Sequence, residues 1–365
     1  MKILFLESDQ FEEYNCSNWR CVIPHRALSR AGHQSKVMRI EAWAARTPEA
    51  VKASEEADII IVQRNLFHDV VPIIFYWRAK GKTVVADLDD SYENMSEETG
   101  SPTYKFWKHG LISQKVPDST EMRDAEVYPK PLDLLRYGLK LTAGMTSPSK
   151  LICKDWKDVV KTYWFPNYVD PSILGRSSNI YHAPHTIHLG WGGSMTHLVS
   201  WTGSGAADAV TQIINENKEK IRLVLIGDPR TERLFKIPKL NRLHPGWVPQ
   251  AIFAAKLSMV DIGLIPLYGE YDRRRSWIKT AEYSVMGIPW IGTDMEPTRD
   301  IDTGMRVKEN TAEGWYAALK YYIDNYADLK AAAEQNIPMA LEKFDVDLHV
   351  GDIVKLFERI IEEDK

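Results

Sequence analysis

The sequence predicts an α/β fold of two doubly wound parallel-sheet domains facing each other across a central cleft. The first half alternates short apolar runs with helical patterns, and the second half repeats the alternation. Strands separated by helices are the pattern of βαβ units and a parallel sheet. Between the halves, 171–185 is rich in serine, proline, glycine and histidine, which marks a connection. The chain has 365 residues, 44% of them hydrophobic, long for a single core. Open sheets of this kind bind ligands beyond the carboxyl ends of their strands, so the cleft is where a site is expected.

The elements follow in order. Strands are expected at 3–6, 36–40, 59–63, 83–88 and 144–147, with helices near 24–31, 48–56, 71–80, 132–141 and 148–156. From 91 to about 130 the chain turns polar and irregular, with Pro102, Gly110 and Pro117. It reads as a loop insertion, either a lid on the acceptor side or plain disorder. In the second half, strands are expected at 186–191, 221–226, 261–267 and 289–292. Helices follow Gly205, run near 249–257 and begin at Ser276, and a final helix spans roughly 349–363.

Composition excludes several classes. A formal net charge of -4 rules out a generally basic nucleic-acid binder, so no stable nucleic-acid complex is expected. No apolar run approaches the length of a membrane span, which leaves at most peripheral membrane contact. The N-terminal MKILFLESDQ has too short an apolar run for a signal peptide and acidic residues follow at once; it reads as a first strand in a cytoplasmic protein. Cys16, Cys21 and Cys153 form neither a disulfide framework nor a zinc spacing. His182, His185 and His188 are spaced by three, but Pro184 and the strand that follows prevent one helical face from gathering them. No metal site is expected.

The chemistry concentrates in 271–294, YDRRRSWIKTAEYSVMGIPWIGTD. Arg273, Arg274 and Arg275 are permanent cations, Ser276 is a candidate N-cap, and a helix N-terminus offers backbone N–H groups to an anion. Ile278, Ala281 and Val285 share one face, which sets Lys279 and Glu282 together on another. Gly287 then stops the helix. The segment admits two readings: an anion site beside a polyol site, or a solvated basic turn with an exposed ion pair. Upstream, Gly190, Gly192 and Gly193 surround Trp191 after a strand and precede Ser194, where glycine permits close approach to phosphates. The loop is neither a Walker A sequence nor a clean dinucleotide fingerprint. Asp87, Asp89 and Asp90 end another strand and suit metal coordination, general-base chemistry or strand capping.

The pattern of Ser276, Lys279, Glu282, Tyr283, Gly287, Ile288, Pro289 and Asp294 resembles the donor-site region of the family 4 glycosyltransferases, retaining enzymes of GT-B fold. IHLGWGGSMTH at 187–197, IRLVLIGD at 221–228, WVP at 247–249 and DIGLIPL at 261–267 agree with it in order. WFPNYVD at 164–170 resembles the hinge of these enzymes, and Arg20, Gln63, Arg64 and Asp87 to Asp90 give a weaker likeness in the first half.

The resemblance implies a GT-B fold with Rossmann-like domains at 1–170 and 171–345, and a last segment, 346–365, that returns to the first. It also implies transfer of a sugar from a UDP- or GDP-sugar to an unidentified acceptor, with retention and no required cofactor or metal. Arg275 and Lys279 would clamp the diphosphate, helped by the backbone of Ser276 and Trp277. Glu282 would accept hydrogen bonds from the ribose, Trp247 and Val248 would meet the base, and Gly192, Gly193 and Ser194 would border the phosphates. Asp89 and Asp90 would be the catalytic carboxylates, with Arg20 and Arg64 on the acceptor or phosphate side. The sequence departs from the family in two places: Ser194 to His197 replace cations usual after the glycine loop, and Arg274 stands where a glutamate is common. Other readings stay open: an inverting transferase, a sugar-nucleotide epimerase, or a non-catalytic nucleotide-sugar-binding protein.

Overall fold

The structure, a computed structural model, describes residues 1–9, 14–96, 102–115, 120–174 and 186–365. In chain order the first strands are β1 (Lys2–Glu7), β2 (Gln34–Arg39), β3 (Ile59–Gln63) and β4 (Thr83–Asp87). A hairpin follows, β5 (Leu111–Lys115) and β6 (Met122–Glu126), then β7 (Gly144–Ser147) and β8 (Thr162–Trp164). The second half adds β9 (Ile187–Gly193), β10 (Ile221–Gly227), β11 (Arg242–Gly246), β12 (Ile262–Ile265), β13 (Trp290–Thr293) and β14 (Met305–Val307).

These strands form two six-stranded sheets, ordered β2-β1-β3-β4-β7-β8 and β11-β10-β9-β12-β13-β14. Every pair between neighbours in the two sheets is parallel. Their central strands are apolar on both faces, as IIIVQ in β3 and IGLI in β12, because helices cover both sides. Strand order reverses between β1 and β3 in one sheet and between β9 and β12 in the other. Such switch points open a crevice at the carboxyl ends of the strands, and each sheet contributes one.

The two halves are tied at a double crossing. Val169 donates to the Phe344 carbonyl at 2.8 Å and accepts from Val346 at 2.9 Å, so the outgoing and returning chains pair side by side. The last helix, Val350–Glu363, packs on the first sheet, with the Phe357 ring 6.1 Å from Phe5 and 5.5 Å from Phe165. Its end is held there as well: Glu363 accepts from the Tyr163 hydroxyl at 2.8 Å, and Asp364 pairs with Arg78.

Two expectations change here. The insertion at 91–130 is not featureless, since it carries the antiparallel β5–β6 hairpin and folds Trp107 to 5% exposure. Residues 97–101 and 116–119 of it lie outside the described residues, as do His182 and His185. His188 is buried, with Nδ1 2.9 Å from the Met259 carbonyl. The key helix starts later than the sequence suggests, at Ile278, with Trp277 as its N-cap. No described helix is long and apolar enough to cross a membrane.

Candidate active site

A cavity of about 500 Å³ opens between the two sheets. The second sheet reaches it at its switch point, through Gly192 and Gly193 at the end of β9, Ser194 after it, and Leu267 after β12. The first reaches it through Asp9 after β1, Arg64 after β3, and Asp89 and Asp90 after β4. Arg20, Trp247, Val248, Arg275, Ser276, Lys279 and Glu282 also line it.

The helix Ile278–Val285 sets Lys279 and Glu282 in place. It is covered nearly all round, with Ala281 at 0% and Tyr283 at 1% exposure, and Glu282 itself at 5%. The reading as a solvated ion pair therefore fails. Its C-terminal end closes as a Schellman motif: Ile288 donates to Tyr283 at 2.9 Å and Gly287 to Ser284 at 3.1 Å. Gly287 sits at φ 61°, where a side chain would be strained and its Cβ would meet Ile337 at 2.9 Å. That stop turns the chain straight into β13.

Lys279 and Glu282 share a half-closed, low-dielectric corner, and burial pushes both toward neutrality. It raises the Glu282 carboxyl, opposed by the Lys279 ammonium and the Tyr14 hydroxyl. It lowers Lys279, opposed by Glu282 and reinforced by Arg275. The ammonium lies 5.6 Å over the Trp191 ring, and among the described residues Nζ makes no hydrogen bond. Arg275 is fixed by Asp272 at 2.6 Å and Thr196 at 3.0 Å, with its guanidinium 4.6 Å over Tyr271 and 3.8 Å from Asp90. Burial, then Arg275 and Lys279, pull the pKa of His197 beside them well below its ordinary value, and its buried Nδ1 has no hydrogen-bond partner among the described residues.

The glycine loop is tight. A Cβ at Gly193 would lie 2.5 Å from the Trp191 ring, whereas at Gly192 the nearest atom is 3.6 Å away. Trp247 stands 38% exposed at the rim. Val248 is buried, and its carbonyl accepts from the Tyr14 backbone across the cleft at 3.0 Å. The Tyr14 ring lies 4.2 Å from Phe253.

On the first-sheet side, Arg64 adopts φ 39°, and Asn65 donates to Gln63 at 2.5 Å across a three-residue turn. A non-glycine residue held there stores on the order of 1–3 kcal/mol, and such strain gathers at functional positions. The turn aims its guanidinium at Ser8, Asp9 and Asp89. Burial raises the Asp89 carboxyl, but Arg64 and the Cys16 thiol outweigh it and leave Asp89 below its ordinary range. Asp90 stays above its range, because burial and the Asp89 charge outweigh Arg275.

Several residues are placed differently from the sequence reading. Arg20 touches the cavity, but its side chain is internal. Nε and Nη2 grip Asp87 at 2.8 and 2.6 Å, and Nη1 donates to Phe165 and Asn167. Four of its N–H groups are thus engaged, and it anchors β4 rather than offering itself to a phosphate. Asp87 is consumed by that pair and by Thr146.

Arg273 pairs with Glu270 and Glu296, and Arg274 with Asp155 and Glu270, so the arginine run delivers one cation, Arg275, to the cavity. Ser276 is not a cap; its hydroxyl accepts from Asn167 at 2.8 Å. Trp277 points away from the cavity and donates to the Asn167 carbonyl at 2.7 Å. The sequence reading gave no role to Tyr14, Thr196, Asp272 and Asn167, although the last three fall within segments it singled out; the contacts of Tyr14, Thr196 and Asn167 form only when distant segments meet.

No protein-family profile matches the chain, and no curated protein matches it. Solved structures do. Sucrose-phosphate synthase from Thermosynechococcus elongatus is 12% identical, with a TM-score of 0.65 over 99% of both chains. The catalytic domain of starch synthase IV from Arabidopsis thaliana, bound to ADP and acarbose, is 11% identical with a TM-score of 0.65, again over 99% of both chains. Anabaena HepE in complex with UDP and glucose is 13% identical with a TM-score of 0.61, over 98% of this chain and 99% of that one. Two parallel sheets facing one cleft, and full-length likeness to these structures, identify the fold as GT-B.

Proposed function

We propose that the chain is a glycosyltransferase that moves a sugar from a nucleotide-diphosphate sugar to an acceptor hydroxyl. The observation that carries the reading is the single cavity in which Lys279, Glu282, Arg275 and the glycine loop face Asp89 and Asp90. Glu282 accepts hydrogen bonds from the ribose, and the base lies by Trp247 and Val248. Arg275 and Lys279 hold the diphosphate beside the open backbone at Gly192, Gly193 and Ser194. The anomeric carbon–oxygen bond to the diphosphate breaks as the acceptor oxygen bonds to that carbon, and the two cations stabilise the departing charge. The acceptor proton passes to Asp90, whose raised pKa suits a base. Asp89, held ionised by Arg64, orients the hydroxyl.

Two neighbouring structures hold nucleotides, UDP in HepE and ADP in starch synthase IV, which favours a nucleoside-diphosphate donor here and puts UDP first. Retention, a cytoplasmic location and domain limits at 1–170 and 171–345, with 346–365 returning, belong to the same reading. A sugar-nucleotide epimerase is the second one, favoured by likeness to a UDP-N-acetylglucosamine 2-epimerase from Listeria monocytogenes at a TM-score of 0.54.

Incubation with UDP-, ADP- and GDP-sugars, with and without saccharide acceptors, separates these readings. A transferase releases nucleotide and forms a new glycoside; an epimerase changes the sugar of the recovered nucleotide sugar; no turnover of any donor contradicts both. Turnover that survives chelation assigns Asp89 and Asp90 to the acceptor, whereas loss restored by manganese would give them to a metal.

A further inference from the structure

The acceptor side of the cavity has its own chemistry. Thr103, Phe106 and Trp107 from the insertion line it together with Phe67 and Tyr92. Trp107 and Tyr92 are buried and stacked, their ring centroids 3.8 Å apart. Phe67 and Phe106 are half-exposed, meeting edge to face at 5.3 Å. The buried pair backs the half-exposed pair and fixes a rigid aromatic surface.

The charges beside it are mostly negative: Asp9, Asp89 and Asp90 line the same wall, where Arg64 is bound to Asp9 and Asp89, Arg20 is spent on Asp87, and Arg275 reaches Asp90 from the other wall at 3.8 Å. On the other wall Lys279 makes no hydrogen bond among the described residues, and Arg275 beside it is held by Asp272. A negative group brought to the first wall would face carboxylates in a poorly screened cleft. A sugar ring has the opposite profile, with an apolar C–H face to lie on an aromatic ring and hydroxyl donors for carboxylates.

Taking the transferase reading as its basis, we propose that the acceptor is a neutral saccharide, its ring lying against Phe67 and Phe106 and its reacting hydroxyl at Asp89 and Asp90. Tyr92, Thr103, Phe106 and Trp107 are then the insertion's contribution to the acceptor subsite. Anionic acceptors such as sugar phosphates and glycerol phosphate are disfavoured by the excess of carboxylates on this wall.

The test uses the full chain and the donor that gives the fastest nucleotide release. Glucose, maltose and cellobiose are compared with glucose 1-phosphate and glycerol 3-phosphate as accelerators of that release. Saturation-transfer NMR reads saccharide binding directly. The expected result is acceleration by at least one neutral saccharide and by neither phosphate. In Phe106→Ala the saccharide KM rises about tenfold, with donor KM within about twofold, and Phe106→Tyr restores it. Preference for a phosphorylated acceptor, or a saccharide KM unmoved in Phe106→Ala, overturns the proposal. The two readings fail separately: a chain that binds and hydrolyses a donor but responds to no neutral saccharide keeps the donor site and loses this acceptor, whereas absence of donor binding removes the transferase reading itself.

Discussion

The two walls of the cavity hold similar numbers of ionisable groups but treat them differently. On the first-sheet wall nearly every charge is answered by the protein: Arg20 grips Asp87 in full burial, and Arg64 ties Asp9 to Asp89. On the second-sheet wall Lys279 and Glu282 are desolvated without full compensation, and burial drives both away from their charged forms. A closed network builds architecture, and its cost is met within the fold. A pair held short of satisfaction is poised to gain when a ligand supplies the missing partners. That contrast separates the cations that hold the cleft in shape from those that face its occupant.

The largest effect expected from this contrast is on stability. Arg20→Ala leaves Asp87 as an unpaired buried carboxylate and should cost about 3–5 kcal/mol, read as a large drop in the midpoint of denaturant unfolding. An unfolding midpoint within experimental error of the parent would show that the first-wall network is not structural.

The next effect is on pH dependence. An anion favours the ammonium form of Lys279, so diphosphate affinity is full where that group is protonated in the free protein. It is lost as pH rises through the lowered pKa, by at most about tenfold per pH unit. Because the pKa lies below the ordinary 10.5, the loss begins earlier than for an exposed lysine. Glu282 works against it, since its carboxyl ionises over the same rise and becomes a better acceptor for ribose hydroxyls. Calorimetric titrations across alkaline pH should show the fall, with Lys279→Arg flattening it and Glu282→Gln shifting it to lower pH. An affinity flat with pH in all three proteins would remove Lys279 from the phosphates.

The smallest effect is at Arg274. Its partners Asp155 and Glu270 lie outside the cavity, so Arg274→Ala should leave nucleotide affinity within about twofold and cost no more than about 1 kcal/mol. A loss comparable to that of Arg275→Ala would return the whole arginine run to the site.

Much of this was legible in the sequence, for identifiable reasons. Buried parallel strands such as 59–63 and 221–226 are mostly apolar runs, and the glycine stop after Met286 has a single structural meaning, so their positions follow from the sequence pattern. The short edge strands β8, β11 and β14 were not foreseen: THR-TYR-TRP at 162–164 or MET-ARG-VAL at 305–307 are too brief to carry a period and exist because a neighbour pairs with them. The β5–β6 hairpin was hidden by its charge, since neither face enters a core.

At the site, Lys279 and Glu282 were visible from spacing and resemblance, but their burial was not, because it depends on Tyr14 and Trp191 arriving from elsewhere. Identical residue types diverged for the same reason. Arg20, Arg273, Arg274 and Arg275 are equal as letters; only the position of Asp87, Asp155, Glu296 or Asp272 decides which are spent.

The central claim is that the desolvated Lys279–Glu282 corner is the nucleotide site, and titration of UDP, ADP and GDP into the parent chain and Glu282→Ala by calorimetry tests it most directly. The account predicts that at least one nucleoside diphosphate binds the parent and that its affinity falls roughly 10- to 100-fold in Glu282→Ala, the cost of losing the hydrogen bonds of the carboxyl group to ribose. Unchanged affinity in Glu282→Ala, with the nucleotide bound to both proteins, would contradict it.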